Sequence, residues 1–135
     1  MIRIVRFYSK RVNGEGPRLG TVRRPPRGVR KEDYAALNIY DVWFPVLSPS
    51  NELRVSFNDE GMTVERWRKK FRAEMRQPEP RHALDVLATL SHHVDFSIGC
   101  YCKYEDNCHR FVLRELLEER GARLAPKPKV KGEYD

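Results

Sequence analysis

The sequence predicts an α/β fold, in a single layered domain with a small, mainly parallel sheet flanked by helices. The first observation is segment 94–120, where a strand pattern leads through a polar loop into an amphipathic helix. The second is that other strand and helix patterns are interspersed along a chain of 135 residues, a length that suits one domain. We therefore expect one domain over 1–125 and a flexible Lys/Pro-rich tail over 126–135.

The first third of the chain has short strand patterns separated by turn residues. We predict strands over 2–7 and 19–22, with a turn at 13–17 between them. Segment 23–28 contains two adjacent prolines, which fix φ and remove hydrogen-bond donors, so it is predicted to be an exposed loop. Segment 40–47 is apolar and aromatic, and it suits either a strand or a packed connection.

Three helices are predicted between 48 and 91. The first begins around 48–50, the second follows Thr63 as its N-terminal cap, and the third ends near Ser91. Their core-facing positions are Leu53 and Phe57, then Val64, Trp67, Phe71 and Met75, then Ala83, Leu84, Leu87 and Leu90.

Segment 94–120 is predicted to carry the functional site. Its strand is expected over 94–102, its loop over 103–107 is expected to be too polar for burial, and Asp106 or Asn107 is expected to cap the helix. Gly121 supplies the helix stop. The helix face predicted to be buried comprises His109, Val112, Leu113, Leu116 and Leu117. A site is expected here because ligands bind where strands of α/β sheets end.

The positive charge is concentrated at the start of the chain. The first 31 residues have ten basic residues against one acidic residue, whereas the remainder has 16 basic and 18 acidic residues. A one-sided basic segment attracts phosphates, so an anionic small molecule or nucleic acid is an expected partner. The alternative is a solvated Arg-rich surface. No apolar run reaches membrane-span length, so we expect no membrane partner and a cytoplasmic location.

Three cysteines lie within nine residues, and their role stays open between three interpretations. A metal site would use Cys100, Cys102, Cys108 and His109 as ligands for zinc or iron. Thiol chemistry would use Cys108 near a helix N-terminus, with Cys102 as a disulfide partner. Packing of small side chains is the interpretation that we favour. No glycine-rich nucleotide-cofactor motif is present.

The chain resembles the YeaO-like proteins, domain-of-unknown-function family 488, from about Arg23 to Gly121. The motifs that carry the resemblance are Pro26-Arg27-Gly28, Trp43 with Pro49-Ser50 and Glu52-Leu53-Arg54, Phe71 with Glu74-Met75, and Cys108-His109-Arg110. Pro25 stands where the family often has Trp, and Met75 replaces a family Leu. The resemblance implies an α/β fold and a site near the last motif. Lys103 and His109 also match family members that lack the cysteines.

These observations lead to one functional expectation and two alternatives. We expect a small enzyme acting on an anionic, nucleotide-like substrate at loop 102–110, with His109 and Lys103 as catalytic residues. Arg23, Arg27 and Arg110 are expected to bind the anion. The alternatives are a non-catalytic nucleic-acid-binding or interaction protein and a Cys/His metal or thiol-redox protein.

Overall fold

Three short strands, three α-helices, a fourth strand and a fourth α-helix follow one another in a computed structural model that describes residues 1–127. The strands in this range are β1 (Ile2–Arg6), β2 (Arg18–Gly20), β3 (Val42–Trp43) and β4 (Phe96–Cys100). The α-helices in this range are α1 (Asn51–Ser56), α2 (Val64–Met75), α3 (Pro78–Leu90) and α4 (His109–Glu119). The predicted tail over 126–135 lies outside the described residues from 128 onward.

The strands form one four-stranded sheet in the order β1-β4-β2-β3, and every pairing is parallel. The predicted α/β class and the mainly parallel sheet are therefore confirmed. Because all strands run the same way, the carboxyl ends of β1, β4 and β2 meet at one edge of the sheet, where Arg6 is paired with Cys100 and Gly20 with Gly99. Beyond the four strands, an isolated parallel bridge joins Ile2 to Leu124.

One core cluster joins the sheet to all four helices. The strands contribute Ile2, Ile4, Phe96 and Ile98, and the helices contribute their predicted apolar stripes. Those buried helix residues are Leu53, Trp67, Phe71, Met75, Leu84, Leu87, Ala88, Val112, Leu113, Leu116 and Leu117. The terminal positions of three predicted stripes, Phe57, Val64 and Leu90, are exposed because each lies at a helix end beyond the packed surface.

Two predicted helix boundaries are confirmed by their capping geometry. The Thr63 side chain accepts a hydrogen bond from the Arg66 amide, as an N-terminal cap does. After α4 the chain turns at Gly121, whose φ of +72° lies in the left-handed region that favours glycine. Both signals are local, since each depends on a few residues at a helix end.

A second cluster of buried residues lies at the carboxyl edge of the sheet. It is formed by Phe7, Val22, Ile39, Tyr40, Cys100 and Cys108. Two glycines let neighbouring side chains pack closely against the backbone at this edge. A Cβ added at Gly20 would lie 2.4 Å from the Tyr40 ring, and one added at Gly99 would lie 2.9 Å from the Val5 side chain. This cluster places two of the three cysteines under the site.

The loop before α4 differs from its prediction in two respects. Glu105 is buried rather than exposed, because its carboxylate accepts hydrogen bonds from the Arg114 guanidinium, the shorter at 2.5 Å. A short 3-10 helix, Glu105–Asn107, includes Asp106 and Asn107, so neither caps α4. Cys108 is the N-terminal cap residue instead, in an extended conformation and without a capping hydrogen bond from its side chain.

Across residues 1–127, none of the helices has the length and apolar character that crossing a membrane requires.

Candidate active site

A pocket of about 430 Å³ opens at the carboxyl edge of the sheet, between the loop after β2, helices α1 and α2, and the loop before α4. Its buried members include Cys100, Cys108 and His109, which lie at the end of β4 and the start of α4. Its apolar walls are formed by Val22, Pro49, Phe57, Trp67 and Tyr101, and its polar and charged lining by Arg23, Arg24, Arg54, Asn58, Cys102 and Asn107. The position follows the rule that ligands bind where parallel strands end.

The three cysteines come together beside this pocket. Their sulfur atoms all lie within 4.8 Å of one another, and all three thiols are free. The shortest approach joins Cys100 Sγ and Cys108 Sγ at 2.9 Å, rather than the predicted pair of Cys102 and Cys108. The Cys102 backbone amide donates to Cys100 Sγ at 3.4 Å, so the turn after β4 folds back over the buried thiol.

The fully buried side chain of Arg110 contacts the thiol cluster. Arg110 donates to the carbonyl oxygens of Val5 at 2.7 Å and Cys102 at 2.6 Å, and its Nε donates to Cys108 Sγ at 3.4 Å. Burial opposes the charge of Arg110, but the neighbouring Cys100 and Cys108 sulfurs outweigh it and raise the pKa of the guanidinium. The side chain therefore holds β1 and the loop after β4 together and carries a positive charge beside the thiols.

The thiols differ in their tendency to ionise. Burial opposes ionisation of Cys108, but hydrogen bonds from Cys100 and Cys102 and the adjacent His109 imidazole hold the pKa of Cys108 well below its usual range. Burial, followed by hydrogen bonding to the other two cysteines, raises the pKa of Cys100. The hydrogen bond with Cys100 lowers the pKa of Cys102, whereas the bond to Cys108 and burial raise it, with a net value of about 11. Of the three thiols, Cys108 is thus the one whose surroundings most favour ionisation.

His109 begins α4, and its imidazole bridges β2 and the thiols. Its Nε2 lies 2.7 Å from the Thr21 carbonyl oxygen and 3.1 Å from Thr21 Oγ1, while its Nδ1 lies 3.4 Å from Cys108 Sγ. Because a carbonyl oxygen only accepts, we assign a proton to Nε2 from this network, and a proton on Nδ1 would be directed at Cys108 Sγ. Neighbouring helical side chains diverge, but Cys108 is extended, and this brings the two side chains together.

The predicted anion-binding arginines do not converge. Arg23 lines the pocket, but its guanidinium donates to the carbonyl oxygens of Ser48 and Pro49. Arg27 is exposed and does not line the pocket, and Arg110 lies buried beneath the thiols. Two arginines that the sequence analysis did not select, Arg24 and Arg54, line the pocket instead.

A signal for both arginines existed in the sequence. Arg24 belongs to the same basic loop as Arg23, and Arg54 ends the Glu-Leu-Arg motif at 52–54.

The two predicted catalytic residues differ in exposure. His109 is buried, whereas Lys103 is exposed, with its ammonium 5.5 Å from the Tyr104 ring centroid. Lys103 does not line the pocket.

Several basic side chains of the first 31 residues form ion pairs with acidic residues of the same chain. Arg18 is fully buried against Glu15, Arg11 pairs with Asp41 at 2.8 Å, and Arg30 lies 3.0 Å from an Asp33 carboxylate oxygen. These pairs reduce the number of charges that a phosphate backbone could meet.

Comparison with known proteins places the chain in a family. The model of DUF488-N3a, described as the active DUF488-N3 subclade, matches residues 2–121. The chain belongs to this family. It is also 33% identical over 116 residues to the uncharacterized protein YeaO of Escherichia coli strain K12, an alignment that covers 86% of this chain and 96% of that protein. No solved structure matches the chain significantly.

Proposed function

We propose that this DUF488-N3a protein is a thiol-dependent enzyme in which the Cys108 thiolate attacks a small anionic substrate bound in the pocket. The observation that carries the proposal is the position of Cys108: the residue lines the pocket, and its sulfur contacts Cys100 and His109 and accepts from the buried Arg110. The description of the matching family as an active subclade supports an enzymatic function.

The surroundings of Cys108 favour the form of the thiol that reacts. The thiolate is the nucleophile, and nearby cations and helix N-termini stabilise it. Cys108 is the N-terminal cap residue of α4, an 11-residue helix, and the Arg110 guanidinium lies 3.4 Å from its sulfur. In this mechanism His109 carries a proton on Nδ1 as well as on Nε2, and Nδ1 donates to the Cys108 sulfur and stabilises the thiolate.

The pocket lining indicates the class of substrate. Arg24 and Arg54 supply positive charge to the lining, which suits a carboxylate or phosphate. Tyr101, Phe57 and Trp67 supply an apolar wall, which suits an aromatic or otherwise flat body. The proposed substrate therefore combines one anionic group with an apolar portion.

Alkylation kinetics test both parts of this proposal. Reduced full-length protein is treated with iodoacetate or iodoacetamide over a pH series, and modification of each cysteine is followed by peptide mass spectrometry. We expect Cys108 to react at mildly acidic pH, where an ordinary thiol with a pKa of about 8.5 is largely protonated. We also expect the anionic reagent to be favoured at Cys108, relative to a free model thiol, because Arg24 and Arg54 attract it.

Arg24→Ala and Arg54→Ala should lower the preference of Cys108 for iodoacetate, and Arg27→Ala is the matched control because Arg27 is exposed and outside the lining. A Cys108 that reacts only with an ordinary thiol profile, or equally fast in all variants, would contradict the proposal.

A thiolate metal site is the second candidate function, favoured by the three sulfur atoms within 4.8 Å of one another. Zinc and iron both accept thiolate ligands. His109 is not part of that sulfur group, and the buried Arg110 charge beside Cys108 opposes a further cation. Stoichiometric zinc or iron in purified protein, lost in Cys108→Ser, would favour this candidate over the thiol enzyme.

A further inference from the structure

Two of the three thiols are arranged as a pair rather than as isolated side chains. Cys100 Sγ lies 2.9 Å from Cys108 Sγ, whereas a disulfide bond measures about 2.05 Å, so bonding requires a displacement of only about 0.9 Å. Cys100 is 1% exposed and Cys108 is 6% exposed. Both residues line the pocket, and Cys108 is the more exposed of the two.

We infer that Cys100 and Cys108 form a two-electron donor pair that reduces small anionic disulfides bound in the pocket. The inference rests on the proposed Cys108 nucleophile, and it adds the class of substrate and the role of Cys100. Disulfides in reducing compartments are typically transient and catalytic, which agrees with the free state of all three cysteines.

In the first step the Cys108 thiolate attacks one sulfur of the substrate disulfide. The substrate S–S bond breaks, one half leaves as a thiolate, and the other half stays on Cys108 as a mixed disulfide. Arg24 and Arg54 hold the anionic group of the substrate, while the apolar wall at Phe57 and Tyr101 contacts its body.

In the second step Cys100 attacks Cys108 Sγ. The mixed disulfide bond breaks, the Cys100 proton passes to the departing sulfur, and the second half leaves as a thiol. One substrate disulfide thus becomes one thiolate and one thiol, while Cys100 and Cys108 become a disulfide. A cellular dithiol reductant returns the pair to its reduced form by the same exchange.

The role of partner falls to Cys100 rather than Cys102 for geometric reasons. The Cys100 sulfur is the one that approaches Cys108 Sγ to 2.9 Å, and its side chain belongs to the same buried cluster. Cys102 is exposed, so its thiol is open to solvent and to competing reagents. A buried partner captures the mixed disulfide before a second external molecule reaches it.

The test uses 5,5′-dithiobis(2-nitrobenzoate), an aromatic disulfide that bears carboxylates and so matches the pocket. Reduced full-length Cys102→Ser protein is mixed with the reagent, and released thionitrobenzoate is measured by absorbance while the protein is weighed by mass spectrometry. We expect two equivalents of thionitrobenzoate, no retained adduct, and a protein lighter by two hydrogens. The matched Cys100→Ser/Cys102→Ser variant should release one equivalent and retain the other half as an adduct on Cys108.

Peptide mapping of the unsubstituted chain gives an independent readout. Cleavage after Tyr101 separates Cys100 from Cys102, so the oxidised pair is identified directly. We expect the bond between Cys100 and Cys108. A stable adduct on Cys108, or a bond between Cys102 and Cys108, would overturn the role of Cys100 while leaving the nucleophile intact. Failure of Cys108 to react at all would overturn the proposed function itself.

Discussion

Two arginines are completely buried within residues 1–127, and they lie toward opposite ends of β4. Arg18 is paired in register with Ser97 near the start of that strand, whereas the Arg110 guanidinium contacts the Cys102 carbonyl oxygen beyond its end. Both cations donate to backbone carbonyl oxygens, so both connect separate segments of the chain. They differ in the acidic group that accompanies them.

Arg18 is accompanied by a carboxylate. Glu15 accepts from its Nε at 2.9 Å and from its NH2 group at 3.1 Å, and Ser97 donates to the same carboxylate at 2.8 Å. Burial opposes ionisation of Glu15, but the hydrogen bonds from Arg18 and Ser97 prevail and lower its pKa. The result is an internal ion pair whose groups are occupied with each other.

Arg110 is accompanied by a thiol that lines a pocket. Its Nε contacts Cys108 Sγ at 3.4 Å, and that sulfur is among the groups that a bound molecule would meet. A carboxylate in the position of this thiol would be a weak nucleophile. A thiolate in the same electrostatic position is a strong nucleophile. Under the proposed function, the acidic partner distinguishes the structural arginine, Arg18, from Arg110, which lies beside a reactive thiol.

The largest effect is expected from breaking the structural pair. Glu15→Ala should lower the free energy of unfolding by about 3–5 kcal/mol, because it leaves the Arg18 charge buried without its carboxylate. Urea denaturation measures the change, and Asp33→Ala is the control, since its pair with Arg30 is exposed and worth at most about 1 kcal/mol. Equal losses in the two variants would contradict the assignment of Arg18 and Glu15 as a buried structural pair.

Arg110→Met should damage reactivity more than stability. The carbonyl oxygens of Val5 and Cys102 lose a donor, at a cost of about 1–3 kcal/mol, and Cys108 loses its adjacent cation. We expect the pH profile of alkylation at folded Cys108 to move to higher pH, because its pKa rises; where the pH lies below the pKa, each unit of rise lowers the rate about tenfold. Arg110→Lys keeps the positive charge, so its rate of Cys108 alkylation should lie between those of Arg110→Met and the unsubstituted protein. A Cys108 rate that is unchanged in Arg110→Met would show that the cation does not activate the thiol.

The pH dependence of unfolding should report Glu15 at acidic pH. Because its pKa is lower in the folded state than the usual 4.5, its contribution is complete above about pH 4.5 and is lost as pH falls through the folded value. Glu15→Gln should therefore show a shallower loss of stability with acid than the parent protein. Parallel profiles in the two proteins would mean that other carboxylates, such as Asp41, whose pKa is also lowered, dominate the acid transition.

The smallest effect is expected at Lys103. Lys103→Ala should change the unfolding free energy by no more than about 0.5 kcal/mol, because the residue is exposed. Under the thiolate proposal it should also leave the alkylation rate of Cys108 unchanged. Loss of substrate turnover with an unchanged alkylation rate would instead favour the sequence-based prediction that Lys103 is catalytic.

The sequence by itself determined the features that depend on neighbours along the chain. The buried stripes of α2 and α4 follow the helical period, Thr63 and Gly121 mark helix ends, and the parallel α/β class follows from strands interspersed with helices. These predictions succeeded because hydrophobic periodicity and capping act within a few residues. The same reasoning placed the site at the end of β4, where three cysteines and a histidine lie within ten residues.

Only the tertiary structure decided which of those residues face one another. Nothing local shows that Thr21 binds His109, that the Val5 carbonyl oxygen accepts from Arg110, or that Arg54 from α1 lines the pocket. Each contact joins segments far apart in sequence, and the packing of the whole sheet and its helices sets their distance. The conformation at Cys108 was likewise not evident from the sequence. Asp106 and Asn107, the predicted caps, belong to a 3-10 helix, and the extended Cys108 that follows contacts Cys100 through its thiol.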